Sequence, residues 1–256
     1  MHRILLKVAY DGTNYCGWQV QPNGTSIQQV LQAAVEDLVG EKVNLTGASR
    51  TDSGVHALCQ IAVFDTNKEI EPWKYAYALN QRLPKDIVVR ESKEVAADFH
   101  PRYRNVVKTY EYKVLNDRMP RPCDRLYTHF VPVKLDLEAM KAAAAYLAGE
   151  HDFRSFCSQK SDAVSTVRTI YSIALTEGDN IITLRISGNG FLYNMVRIIA
   201  GTLLKVGCGQ KTPEYVREAL EFPQEKAAGP TAPARGLTLI DISYPDDEGQ
   251  PVNNNS

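Results

Sequence analysis

Residues 5–40 read LLKVAYDGTNYCGWQVQPNGTSIQQVLQAAVEDLVG, a strand followed by a helix, and the fold class follows from that pairing. Leu5 to Tyr10 is a short apolar run rich in strand formers, closed by the turn pair Asp11-Gly12. Ser26 stands where a helix N-cap belongs, with Gln29 as its capping-box partner. Ile27, Val30, Leu31, Ala34, Val35 and Leu38 then recur at helical spacing until Gly40 ends the helix. Downstream, Val43 to Thr46 and Cys59 to Phe64 read as strands flanking a polar loop, Pro72 to Arg82 as a helix and Ile87 to Arg90 as a strand. The order is β-α-β-β-α-β, the split βαβ arrangement of a ferredoxin-like unit.

A similar series restarts after His100-Pro101. Strands are expected at Val106 to Val114 and around Tyr127 to Val131, then an alanine-rich helix from Leu137 to Leu147 that stops at Gly149. Strands at Val167 to Thr176 and Ile181 to Ser187 and a helix from Leu192 to Lys205 complete it, without a residue-level repeat of the first half. From Pro245 the chain is too polar to pack, and residues 245–256 are expected to be a disordered tail.

With 256 residues, 44% of them hydrophobic and 23% charged, the chain has enough apolar material for one large or two small cores. No apolar stretch approaches the roughly 20 residues that a bilayer span needs, so a soluble, unexported, cytoplasmic protein is expected. The five cysteines (Cys16, Cys59, Cys123, Cys157, Cys208) are far apart, which suggests reduced thiols and neither a metal site nor a disulfide framework. The formal net charge is −1, which does not by itself announce a polyanionic ligand. Between His100 and Arg125, however, seven basic residues face three acidic ones, and that stretch can track phosphates or be an ordinary solvated surface.

The densest chemical signal is the loop Gly47-Ala48-Ser49-Arg50-Thr51-Asp52-Ser53-Gly54-Val55-His56-Ala57 between two apolar strands. Asp52 offers a carboxylate, Arg50 a cation and Gly54 backbone freedom. Read alone, the pattern more often describes a turn in which the aspartate bonds its own backbone. Gly188-Asn189-Gly190 lacks the third glycine of a dinucleotide loop, since Tyr193 stands there, so no nucleotide cofactor is expected.

This loop resembles the signature loop of the tRNA pseudouridine synthase A family. So do Tyr10-Asp11-Gly12-Thr13-Asn14-Tyr15-Cys16-Gly17-Trp18-Gln19-Val20-Gln21, Ser26-Ile27-Gln28, and Phe99-His100-Pro101-Arg102-Tyr103 with Lys108-Thr109-Tyr110-Glu111-Tyr112. His151-Asp152-Phe153-Arg154-Ser155-Phe156, Gly190-Phe191-Leu192-Tyr193-Asn194-Met195-Val196-Arg197 and Ala232-Pro233-Ala234-Arg235-Gly236-Leu237 continue the resemblance, in order, from about Leu6 to Leu239. One departure is Ser49, where the family more often has glycine.

The resemblance implies an α+β protein: two ferredoxin-like lobes with antiparallel sheets meeting in a central active-site cleft, an N-terminal lobe of residues 1–102 and a C-terminal lobe of residues 103–244. It implies a homodimeric isomerase that needs no cofactor or metal and converts uridines 38, 39 and 40 of the tRNA anticodon arm to pseudouridine. Asp52 is then the catalytic residue, by attack at C1′, attack at C6 or a glycal route. Arg197 is its partner in the cleft, although by pattern alone it is also a surface helix cation. Tyr110 is expected to stack on the target base, while alternation alone makes Tyr110 and Tyr112 sheet-packing aromatics. Arg50 is the candidate to fill the space left by a flipped nucleotide. Gln19, Gln21, Gln28, Lys108, Phe153, Arg154 and Arg168 are assigned to RNA contact. Leu192, Met195, Val196 and Ile199 are assigned to the core. A non-catalytic RNA-binding module, which needs no Asp–Arg pair, and an acid-catalysed enzyme acting on a small metabolite are the alternatives.

Overall fold

The computed structural model describes residues 1–22, 24–158, 164–223 and 228–245. Residues 246–256, the bulk of the expected tail, lie outside them. In chain order the first half contains β1 (His2–Tyr10), α1 (Ile27–Val39), β2 (Thr46–Gly47), β3 (His56–Thr66), α2 (Lys74–Asn80) and β4 (Ile87–Val95). The second contains β5 (Val107–Leu115), β6 (His129–Phe130), α3 (Leu137–Ala145), β7 (Gly149–Asp152), β8 (Val167–Gly178), β9 (Ile181–Gly188), α4 (Met195–Gly207), α5 (Glu214–Glu221) and β10 (Leu237–Ser243).

Each half builds the same sheet. In the first, β1 lies between β4 and β3, and β2 pairs with the outer edge of β3; in the second, β5 lies between β10 and β9, and β8 pairs with β9. Both are the ferredoxin-like order, fourth-first-third-second by position in the chain. The halves then fuse into one ten-stranded sheet, β4-β1-β3-β10-β5-β9-β8-β7 along its path. The seam is a parallel pairing of β10 with β3, Thr238 opposite His56 and Leu239 opposite Ala57. Farther along β3, the Ala48 N–H donates to the Ile61 carbonyl at 2.8 Å and β2 pairs at Ala62 and Val63.

Local chemistry explains the elements. Ser26 accepts a hydrogen bond from the Gln29 backbone at 3.2 Å, and Gly40 closes α1 in the left-handed conformation with φ 76°. Ile27, Leu31 and Val35 are buried along one face of α1. β3 is central and buried on nearly its whole length, so it reads as a continuous apolar run and not as an alternation. Three elements carry weak sequence signals. β7 is short and polar, α5 is a charged amphipathic helix, and Leu237-Thr238-Leu239-Ile240-Asp241-Ile242 alternates only in part. The expected strand at 43–46 contracts to Thr46–Gly47, and that at 127–131 to His129–Phe130. The expected start of α4 at Leu192 moves to Met195, because Asn194 takes a left-handed conformation with φ 61°.

The segment after β1 folds back over the polar loop. A Cβ on Gly12 would meet the Val55 carbonyl oxygen at 2.0 Å, and one on Gly17 would meet that of Thr51 at 2.6 Å. Gly12→Ala should therefore destabilise the protein by about 1–3 kcal/mol, the usual range for overpacking. Gly178→Ala, with no atom within 4 Å of the added carbon, should change stability by less than about 0.5 kcal/mol. Urea unfolding of the two variants checks this; equal effects would refute the packing argument.

Candidate active site

The loop between β2 and β3 is held from every side. Tyr10 Oη and Thr51 Oγ1 are hydrogen-bonded at 2.7 Å, and the Trp18 backbone N–H donates to the Thr51 carbonyl at 3.1 Å. Ser53 Oγ and the Gly54 N–H both donate to the Tyr15 carbonyl, at 3.2 and 3.3 Å. Gln60, fully buried on β3, receives the Ser49 N–H at 3.1 Å and returns its amide to the Ser49 carbonyl at 2.6 Å. Gly12 N–H donates to His56 Nδ1 at 3.1 Å, which leaves His56 Nε2 to donate to the Leu126 carbonyl at 3.0 Å. A loop so bonded presents its one carboxylate in a fixed place.

That carboxylate meets a cation from the other half of the chain. Arg197, in the first turn of α4, donates from Nη1 to Asp52 Oδ2 at 3.2 Å. Arg197 is itself oriented by Nε to the Ala232 carbonyl and by Nη1 to Asn194 Oδ1, each at 2.8 Å. The side chains of Asp52 and Arg197 are only 19% and 17% exposed. Burial pushes the Asp52 carboxyl above its ordinary value, and the charge and hydrogen bond of Arg197 pull it back only in part. Desolvation is the larger effect.

Tyr110 is buried on β5 beside this pair. Its hydroxyl is 2.9 Å from Ser49 Oγ, and its ring meets Phe191 edge-on at 5.3 Å. Burial pushes the phenol up to about 12, against the lowering effect of the Ser49 hydrogen bond. Tyr112, two residues on, is also buried, and donates to the Pro233 carbonyl at 2.9 Å; it braces the segment that carries Ala232.

These groups open into a cavity of about 780 Å³. Of the expected site residues, Arg50, Asp52, Lys108, Tyr110, Arg168 and Arg197 line it. The rest do not. Gln21 donates to the Cys16 carbonyl at 2.5 Å and Gln28 to the Leu45 carbonyl at 2.8 Å, so both serve the backbone. Gln19 is exposed away from the cavity, and Arg154 is exposed and paired with Asp152 at 3.6 Å. Phe153 is fully buried against Phe156 and His151, so its ring presents no face to a ligand. Leu192, Met195 and Val196 are buried, as expected of core residues, yet they also line the cavity. Arg102, Ser49 and Asn194 belong to the site without having been singled out. Their motifs flagged the segments, but only the folded chain shows which side chains turn inward. Among the described residues no three His, Cys, Asp or Glu side chains gather as a metal-ligand set.

A family model described as tRNA pseudouridine synthase matches residues 7–104 and 143–245. The chain is 48% identical over 244 residues to tRNA pseudouridine synthase A of Acetivibrio thermocellus, covering 95% of this chain and 100% of the relative. The same coverage holds for tRNA pseudouridine synthase A of a Thermoanaerobacter species, at 48% identity, and for tRNA pseudouridine synthase A 2 of Clostridium perfringens, at 46%.

The balance at Asp52 has a measurable sign. In a carboxyl ¹³C titration Asp52 should titrate above the other aspartates, and Arg197→Gln, which removes the lowering charge, should move it higher still. A downward move, or none, would show that Arg197 does not stabilise the carboxylate.

Proposed function

This chain belongs to the tRNA pseudouridine synthase family, and we propose that it isomerises uridines 38, 39 and 40 in the anticodon arm of tRNA with Asp52 as the catalytic carboxylate. It is an isomerase acting on tRNA uridine. The reaction breaks the N1–C1′ bond, turns the base and joins C1′ to C5; N1 gains a proton and C5 loses one. The observation that carries the reading is the Asp52–Arg197 pair, a half-buried carboxylate held by a half-buried cation at the edge of a cavity large enough for a nucleotide.

Attack at C1′, attack at C6 and elimination to a glycal all begin with an ionised carboxylate beside the nucleoside. Arg197 supports that form against burial. A uridine reaches the cavity by leaving its stack. Tyr110 then supplies an aromatic ring at the cavity wall, and its hydroxyl, hydrogen-bonded to Ser49, takes part in the proton transfer from C5. Arg50, exposed at the rim, fills the space the base leaves.

The enzyme works in the cytoplasm as a homodimer, in which two copies of the basic stretch at 100–125 share one folded RNA. Sedimentation of the free protein should give twice the chain mass; a monomer mass at working concentration would remove this part of the reading.

Asp52→Ala should abolish release of tritium from tRNA labelled at uracil C5, with tRNA affinity held within about an order of magnitude. Transcripts retaining uridine only at positions 38–40 should release label with the wild type. Turnover by the alanine variant above a few per cent would sink the assignment of Asp52, and silence on those transcripts would move the target elsewhere in tRNA.

A further inference from the structure

Five cations line the cavity, Arg50, Arg102, Lys108, Arg168 and Arg197, against the single carboxylate of Asp52. Arg197 takes that carboxylate. Among the described residues the other four have no acidic partner within ion-pair distance, and they come from four separate segments: the loop holding Asp52, the chain after β4, β5 and β8. Arg102 and Lys108 are mutually repelled and desolvated. Burial and the charges of Arg102 and Arg168 push the Lys108 ammonium down to about 8, and burial and Arg50 lower Arg102. Clustered, partly buried cations without a counter-charge are unfavourable in the free protein, and an anion among them removes the repulsion.

The anchoring of two of these cations is specific. Arg102 Nε donates to the Gly47 carbonyl at 2.7 Å, and Lys108 Nζ donates to the Ala48 carbonyl at 2.9 Å. Consecutive carbonyls of the strand-to-loop turn thus hold both heads, five and four residues before Asp52. Each bond uses one donor, leaving two N–H groups on the lysine and the outer guanidinium nitrogens of the arginine for a ligand. Neither is exposed enough to be a general surface charge. Lys108 stands two residues before Tyr110 on β5, and both cations line the cavity that Asp52 lines, which suits an anion attached to whatever Asp52 attacks.

On the functional reading above, we propose that Arg102 and Lys108 seat a phosphodiester flanking the target uridine, and that this seat, tied to the catalytic loop through Gly47 and Ala48, sets where the ribose stands relative to Asp52. Arg168 supplies further positive field from β8. Lys108 and Arg102 are positioning residues here: they touch the substrate backbone and act on the reaction through the placement of the sugar.

The test pairs protein and RNA charges. Anticodon stem-loop RNAs carrying C5 tritium are made with an uncharged methylphosphonate on the 5′ or the 3′ side of the target uridine, and tritium release is measured with wild-type protein, Lys108→Met and Arg102→Gln. Losing a charged hydrogen-bonding partner should lower kcat/KM about 10–100-fold. At one of the two positions, the RNA change and the protein change together should be no more than about 3-fold worse than either alone, because both delete the same contact. The slope of log affinity against log salt should also fall by roughly one for Lys108→Met. Multiplicative losses at both positions, or an unchanged rate for Lys108→Met on unmodified RNA, would overturn the seat and leave Lys108 as a brace for Ala48. Circular dichroism identifies a variant that fails to fold, and the other variant then carries the same cycle. Absence of release by the wild type from unmodified RNA would instead overturn the functional reading itself.

Discussion

A carboxylate taken largely out of water needs a cation beside it, and here the cation lies 145 residues away in the chain. Much of the architecture follows from that constraint. Asp52 sits on a loop of the first half and Arg197 at the start of α4 in the second. The pair exists only because β10 crosses to lie beside β3 and joins both halves in one sheet. β10 and the segment before it serve two purposes: the strand forms the seam, and the preceding residues supply the Ala232 carbonyl that orients Arg197.

The loop is rigid because polar groups elsewhere in the chain serve it. Tyr10, Tyr15, Trp18 and Gln60 satisfy its backbone and hydroxyl groups, while Gly12 and Gly17 allow two segments to touch where any side chain would collide. Several residues that look like ligand contacts in the sequence are part of this scaffold. Gln21 and Gln28 are polar and lie in a motif, yet their amides hold the backbone around the loop. Buried backbone needs partners before any ligand does.

The electrostatics reconcile a chain of near-zero net charge with an anionic substrate. Acidic and basic residues pair over the surface, as Arg3 does with Asp65 and Arg121 with Asp179, and largely cancel. In the cavity, cations exceed the one carboxylate. Local excess, not overall charge, sets the field a bound nucleotide meets. Burial in this cavity raises the Asp52 carboxyl and lowers the Lys108 ammonium, two opposite shifts that share desolvation as their largest cause.

Sequence by itself determined the α+β class, the two successive strand–helix series and the loop that carries Asp52. Those depend on local periodicity, capping residues such as Ser26 and Gly40, and turn chemistry, all of which act within a few residues. The motifs likewise brought Arg197, Tyr110 and Lys108 forward, and each lines the cavity. Only the tertiary structure decided that the two sheets are one, since the β3–β10 pairing joins residues far apart in the chain and β10 has an imperfect alternation. It also decided which polar side chains turn inward. Phe153 and Gln28 stand in motifs as prominent as that of Arg102, but burial takes the first into the core and a backbone carbonyl takes the second. The outcome at Asp52 was hidden for the same reason. A pKa is a balance of burial against neighbouring charge, and both are properties of the assembled fold.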